Sequence, residues 1–160
     1  MAILRRMIGD ATDAELAAIA DTLTEIAIGL PGDDSRSVQT RLTAMNTLVL
    51  AGASDTEGTP YPVADRLLRI ALSRSSVRGG AVSGLTFLAD RATAIRMVVR
   101  IATSEGNVAT AAVSQLAHSL GDEGLSTLRD LYRQGLIVNP LAQQHARALA
   151  RYHGWTREPR

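Results

Sequence analysis

Apolar residues recur along this chain at intervals of three and four, the spacing that places side chains on one face of a helix. The first such stretch carries leucine or isoleucine at positions 16, 19, 23, 26 and 30. Thr12 and Glu15 before it have the spacing of a capping box, and Gly29 with Pro31 is a stop signal. No stretch alternates as a surface strand does. The pattern therefore predicts an all-α protein.

Two short phrases repeat in phase and divide the remaining chain into units. The phrase AVSGL at residues 81–85 returns as AVSQL at residues 112–116, and its first and last positions recur at residues 44 and 48 and at residues 145 and 149. The phrase LLRIA at residues 67–71 returns as VVRIA at residues 98–102 and, more weakly, as LYRQG at residues 131–135. A period in the low thirties is typical of helix pairs that bury their apolar faces only by stacking.

We call the helices with the first phrase A helices and those with the second phrase B helices. The A helices are predicted over about residues 37–51, 76–89, 107–120 and 140–153, and the B helices over about 62–74, 91–104 and 123–135. Start signals are Pro62, Asn107, Asp122, Asn139 with Pro140, and either Ser35 or Ser37. We expect a single domain with a capping helix at 12–30, repeats over 36–154 and a flexible tail at 155–160.

Composition narrows the classes of protein to consider. Hydrophobic residues make up 46% of the chain and aromatic residues only 3%, which predicts an aliphatic core. Cysteine is absent, which excludes disulfides, thiol catalysis and cysteine zinc sites. No run reaches the ~18 apolar residues of a membrane span, and no signal peptide is evident. We therefore expect a cytoplasmic protein without membrane contact.

The alternating A and B helices resemble HEAT repeats, over about residues 36–154. The resemblance implies a right-handed α-solenoid of antiparallel helix pairs, with seven or eight helices and the B helices on the concave surface. It also implies salt bridges between neighbouring repeats, for which Asp90 with Arg96 and Glu123 with Arg129 have about the right spacing. The first repeat departs from this pattern because Asp65 occupies the position of Arg96. Armadillo-like repeats are the alternative.

Arginine occupies one position of all three B helices, at Arg69, Arg100 and Arg133, which we call the arginine ladder. Each follows an apolar residue by two positions, about 200° around the helix, so each points away from the core. Arg66 lies on the same polar side, as do Arg96 and Arg129. Because packed helices lie about 8–10 Å apart, this row suits an extended acidic or phosphorylated protein segment. The alternative is an ordinary solvated face.

Two further regions are candidates for contact with a partner. The connection over residues 52–61 is longer than its counterparts, and Tyr61 in it could anchor a partner, although an ordinary turn is the alternative. Tyr152 and Trp155 near the last helix either fold over that end or bind a second subunit, so a homodimer through one end of the array is also considered.

Catalytic motifs are missing from the sequence. No nucleophile elbow or phosphate loop is present, and the three histidines lack the spacing of metal ligands, so we expect no catalytic residues, no metal and no cofactor. The sequence thus predicts a non-enzymatic adaptor that binds another protein. A nucleic-acid-binding HEAT-like module is the alternative, disfavoured by the net charge of +1 and the scarce aromatic residues. Bilin lyases and alkyl-base glycosylases are similar at the level of the repeat only.

Overall fold

Eight α-helices and no strand make up the computed structural model, which describes residues 12–29, 34–53 and 63–155. The helices are α1 (Asp13–Gly29), α2 (Ser35–Ala53), α3 (Val63–Leu72), α4 (Arg78–Leu85), α5 (Arg91–Ala102), α6 (Ala109–His118), α7 (Gly121–Gln134) and α8 (Pro140–His153). The predicted all-α class is confirmed, and every predicted helix is present with its bounds shifted by a few residues at most. None of these described helices is both long and apolar enough to cross a membrane.

Two of the predicted helix starts are confirmed by their hydrogen bonds. The Thr12 backbone N–H donates to Glu15 Oε2 at 2.7 Å, and the Glu15 backbone N–H donates to Thr12 Oγ1 at 3.3 Å, which completes the capping box before α1. At α8, Asn139 Oδ1 accepts from the backbone N–H groups of Leu141 and Ala142, with Pro140 in the first turn. Both starts thus satisfy N–H groups that a helix leaves unpaired.

The caps predicted at Asp122, at Asn107 and at Ser35 or Ser37 are wrong, and backbone conformation explains the clearest case. Gly121 has φ of 63°, a left-handed conformation that glycine adopts at little cost, so the chain enters α7 at Gly121 and Asp122 is already inside the helix. Helix α6 begins after Val108 rather than after Asn107, without a side-chain cap. At α2, Asp34 takes the role expected of Ser35 or Ser37, because its Oδ1 accepts from two backbone N–H groups. Pro62 lies outside the described residues.

The helices pack in two rows. Helix α2 contacts α4, α4 contacts α6 and α6 contacts α8, so the four A helices form what we call the A row. In the other row, α1 contacts α3 and α3 contacts α5, while α7 packs on α6 and α8. We call α1, α3, α5 and α7 the B row. The helix predicted as a cap, α1, lies against α2 and α3, which is the place of one more B helix.

The repeated phrases supply the core between the rows. Leu48, Leu85 and Leu116 of the A row are fully buried, and Leu149 at the same phrase position is partly buried against the core. In the B row, Leu67 and Val98 are fully buried. The repeat therefore positions the apolar side chains inside and leaves the polar positions of the B phrase at the surface.

Candidate binding surface

The arginine position of the B phrase extends into α1 as a glutamate. Residues 23–27 read LTEIA, which aligns with LLRIA at residues 67–71 of α3, so Glu25 stands where Arg69 and Arg100 stand in α3 and α5. The B row therefore presents Glu25, Arg69, Arg100 and Arg133 at one repeated position. Within this set the first member is acidic and the other three are basic.

At the start of the B row the arginines are paired with carboxylates of α1. Arg69 Nη2 lies 2.7 Å from Glu25 Oε1. Arg66 donates to Asp21 Oδ1 from both Nη2 and Nε, at 2.8 and 3.0 Å. The Arg66 side chain is 14% exposed, whereas the Asp21 side chain is 62% exposed. The pairs neutralise both arginines and connect α3 to α1, so this end of the surface carries little net charge.

Arg100 is exposed in the last turn of α5 and has no such partner. Within residues 12–29, 34–53 and 63–155, no carboxylate forms an ion pair with its guanidinium. The position that holds Arg69 against Glu25 is thus repeated at Arg100 without an acidic neighbour. Arg100 is the ladder residue whose charge is available to a partner.

Arg133 differs from the other ladder residues because it is partly buried in the last turn of α7. Its Nε is shielded from solvent and makes no hydrogen bond. A buried N–H without an acceptor costs free energy. The B row therefore does not present three equivalent arginines: one is paired, one is free and one is half-covered.

Asp90 and Arg96 both bind Thr93 at the start of α5 rather than residues of a neighbouring repeat. The Asp90 carboxylate caps α5 by accepting from the Ala92 and Thr93 backbone N–H groups at 3.1 and 3.2 Å, and it also accepts from the Thr93 hydroxyl. Arg96 Nη2 donates to the same hydroxyl oxygen at 2.6 Å. The hydrogen bond from the Thr93 hydroxyl, above all, lowers the pKa of Asp90. Thr93 thus takes the contact that the repeat pattern assigns to a neighbouring unit.

Arg129 likewise binds residues of its own helix. Its Nη2 donates to Ser126 Oγ at 3.1 Å, and its Nε lies 3.5 Å from Asp130 Oδ1. Glu123 is exposed in the first turn of α7 and forms no ion pair with Arg129 or any other described cation. The acceptors on α7 are nearer along the chain, so the bridge predicted for Glu123 and Arg129 is absent from the described residues.

Besides the Arg66 and Arg69 pairs, successive units are connected by hydrogen bonds that are neutral or carry one charge, and these were not predicted. Arg41 Nη1 donates to Ser76 Oγ at 2.7 Å between α2 and the turn before α4. Gln115 Nε2 donates to Ser83 Oγ at 3.2 Å between α6 and α4. Their separations in sequence are 35 and 32 residues, so the repeat period itself was the signal.

The remaining predicted contact residues are placed only in part. Tyr61 and residues 54–62 lie outside the described residues. At the far end, Trp155 stacks on His153 with ring centroids 5.2 Å apart and lies 6.4 Å from the ring of Tyr132. Tyr152 is 85% exposed. Trp155 therefore folds over the last helix pair, and Tyr152 stays available at that end.

Ligands for a metal do not converge within the part of the chain that the structure describes. No group of three histidine, aspartate or glutamate side chains there could hold a metal ion. His118 and His153 are exposed, whereas His145 is partly buried with an unbonded Nε2.

Comparisons of the chain with protein-family models, curated proteins and solved structures found no match.

Proposed function

We propose that the chain is a non-enzymatic, cytoplasmic adaptor with a HEAT-like, right-handed α-solenoid fold, which binds an acidic, extended segment of another protein along the B row. The observation that carries this proposal is the ion pair between Arg69 and Glu25, at 2.7 Å. This pair is an internal example of a carboxylate bound at the ladder position. Arg100 offers the same position with no acidic neighbour.

The charge pattern determines where on the B row the acidic part of the segment binds. A carboxylate placed over Arg100 gains a charge-assisted hydrogen bond, and a guanidinium can bind it with two parallel N–H groups. Carboxylates at the α1 end would instead meet Glu25 and Asp21 and be repelled. The acidic part of the partner is therefore expected over α5 and α7.

The distances between helices set the spacing of the acidic residues. Packed helices lie about 8–10 Å apart, and three residues of extended chain advance about 10 Å. A segment that crosses α1, α3 and α5, which contact one another in this order, would thus place about every third residue over a new helix. Arg133 is expected to contribute less than Arg100, because it is partly buried and its Nε is shielded from solvent.

Charge reversal at Arg100 tests the proposal with a defined probe. Fluorescence anisotropy of a labelled oligoglutamate peptide, with oligoglutamine as the neutral reference, measures affinity for the whole chain. Arg100→Glu is expected to weaken oligoglutamate binding by about tenfold or more, because it replaces attraction with repulsion. The matched control is Arg151→Glu, which changes an exposed last-turn arginine of the A row and should leave binding unchanged.

Equal affinities for the wild type and Arg100→Glu would refute binding at the B row. The same conclusion would follow if Arg151→Glu lost as much affinity as Arg100→Glu, because the peptide would then respond only to net charge. Random-sequence DNA that binds more tightly than oligoglutamate, with a steep dependence on salt, would support the nucleic-acid alternative instead.

A further inference from the structure

Three edge turns lead from a B-row helix to the following A-row helix: residues 73–77, 103–108 and 135–139. Ser75, Gly106 and Asn139 are equivalent in them, because each lies four residues after the last position of the B phrase. Ser75 Oγ donates to the Ala27 carbonyl at 2.5 Å. Asn139 Nδ2 donates to the carbonyls of Glu105 and Gly106 at 2.9 and 3.3 Å. These side chains fasten each of the two turns to the preceding unit.

The middle edge turn, residues 103–108, lacks an equivalent side-chain hydrogen bond because its equivalent residue is glycine. Gly106 has no side chain that could donate to the turn at 73–77. A groove of about 370 Å³ opens between these two turns. Its floor includes the buried Val108 and Ala71, and its rim includes Arg74, Arg78 and Asn107. The turn that lacks this side-chain hydrogen bond thus lies beside a concave groove with arginines at its rim.

The rim of this groove offers N–H donors without matching carboxylates. Arg74 is exposed and Arg78 is half-buried, and neither forms an ion pair with a carboxylate within the residues that the structure describes. The Ser104 hydroxyl already donates to the Ile101 carbonyl at 2.7 Å, so the arginines and the Asn107 amide are the available side-chain donors. Glu105 follows Ser104 in the chain but does not line the groove.

We propose that this groove binds a small molecule through an oxyanion, a phosphate or a carboxylate group, held between Arg74 and Arg78. Two guanidinium groups beside a small apolar floor match an anionic group with a compact body. The volume lies within the range of small-molecule sites, about 300–1,000 Å³. The proposal does not rest on the adaptor function, because none of the ladder arginines lines the groove.

Calorimetric titration of the whole chain tests the groove with two probes at constant ionic strength. Pyrophosphate represents phosphate ligands and malonate represents carboxylate ligands, so the two arms distinguish the sources of the oxyanion. At least one is expected to bind saturably. The double variant Arg74→Gln, Arg78→Gln should lower its affinity by about tenfold or more, because it removes both charges. The matched control, Arg36→Gln with Arg147→Gln, removes two exposed arginines elsewhere and should bind as the wild type does.

Gly106→Ser provides a second test that leaves the charges in place. A Cβ at Gly106 would lie 3.5 Å from Ser104 Oγ and 3.8 Å from Val108 Cγ2, which are ordinary contacts, so the variant is expected to fold. Its hydroxyl would fasten the two turns as Ser75 does and narrow the groove, which should weaken anion binding. Circular dichroism confirms folding of each variant.

Two outcomes would overturn the site. The first is that neither anion gives a saturable heat up to about 10 mM, well above a dissociation constant of about 1 mM. Alternatively, the arginine double variant would bind as tightly as the wild type, or the control pair would lose as much affinity. In either case the groove is only a gap between turns.

Discussion

The A row and the B row are built from the same repeat but joined in different ways. Along the A row, Leu85 and Leu116 are fully buried, and Val49 of α2 packs directly on the backbone of α4 at Gly84. Along the B row, α3 is joined to α1 at the surface by ion pairs of Arg66 and Arg69. Both rows bury apolar side chains, and the B row also carries ion pairs at its surface.

Magnitudes separate what buried apolar side chains and surface ion pairs contribute to stability. Burying a leucine side chain contributes about 1.5–3 kcal/mol, whereas an exposed ion pair contributes about 0–1 kcal/mol. The core between the rows, with Leu85 and Leu116 from the A row and Leu67 from the B row, therefore contributes most of the free energy of folding. The ladder position at the surface of the B row is free to change charge. Glu25 and Arg100 at equivalent positions show that freedom. A binding surface can vary there without loss of the fold.

The most severe disruption of the A row is a charge in its centre. Leu116→Asp would bury an unpaired carboxylate and leave a cavity, at a cost of about 5 kcal/mol or more, comparable to the whole stability of a domain. We expect loss of cooperative urea unfolding followed by circular dichroism. The control Leu141→Asp alters a leucine that is 61% exposed and should unfold nearly as the wild type does. A native-like midpoint for Leu116→Asp would refute the contribution of this buried leucine to the stability of the core between the rows.

A smaller change tests close packing between α2 and α4. In Gly84→Ala, the added Cβ would overlap Val49 Cγ2, whose β-branched side chain has little freedom to move. We expect a loss of about 1–3 kcal/mol from overpacking, reduced by about 1 kcal/mol from better helix propensity. Gly79→Ala on the same helix meets no atom within 4 Å and should instead stabilise by about 0.5–1 kcal/mol. Equal unfolding midpoints for the two variants would show that α2 and α4 are not packed this tightly.

The sequence predicted the helices well because the apolar period and the repeated phrases both report burial. It failed at helix starts where glycine sets the backbone, as at Gly121, because a side-chain cap is only one way to enter a helix. It also missed that α1 continues the B row. The signal was present in LTEIA at residues 23–27, but the acidic Glu25 concealed the match to an arginine phrase.

The positions of the candidate surface residues could be predicted from the sequence, but not which of these residues are paired with carboxylates. The phrase places Arg69, Arg100 and Arg133 at one repeated position, yet their partners depend on helices brought alongside by folding. Glu25 reaches Arg69 only because α1 packs on α3. Similarly, the contact of Arg96 with Thr93 is decided by distances within one turn of helix, which a spacing pattern of six residues does not resolve.

Acidification sharpens the comparison, because it removes carboxylate charge and leaves the apolar contacts of the A row unchanged. The pKa of Asp90 is lowered in the folded chain, first by the Thr93 hydroxyl, so its charged form stabilises the fold above the unfolded pKa, about 3.9. That stabilisation is lost as the pH falls through the folded pKa.

Asp90→Asn keeps a capping oxygen but does not titrate, so its urea midpoint should fall below that of the wild type at pH 7 by an amount that shrinks at low pH. This is the smallest of the expected effects. Asp122→Asn, which alters an exposed carboxylate that makes no capping hydrogen bond, is the control for the loss of one surface charge. A constant difference between Asp90→Asn and the wild type from pH 7 to about pH 3 would mean that the charge at the start of α5 does not contribute to stability.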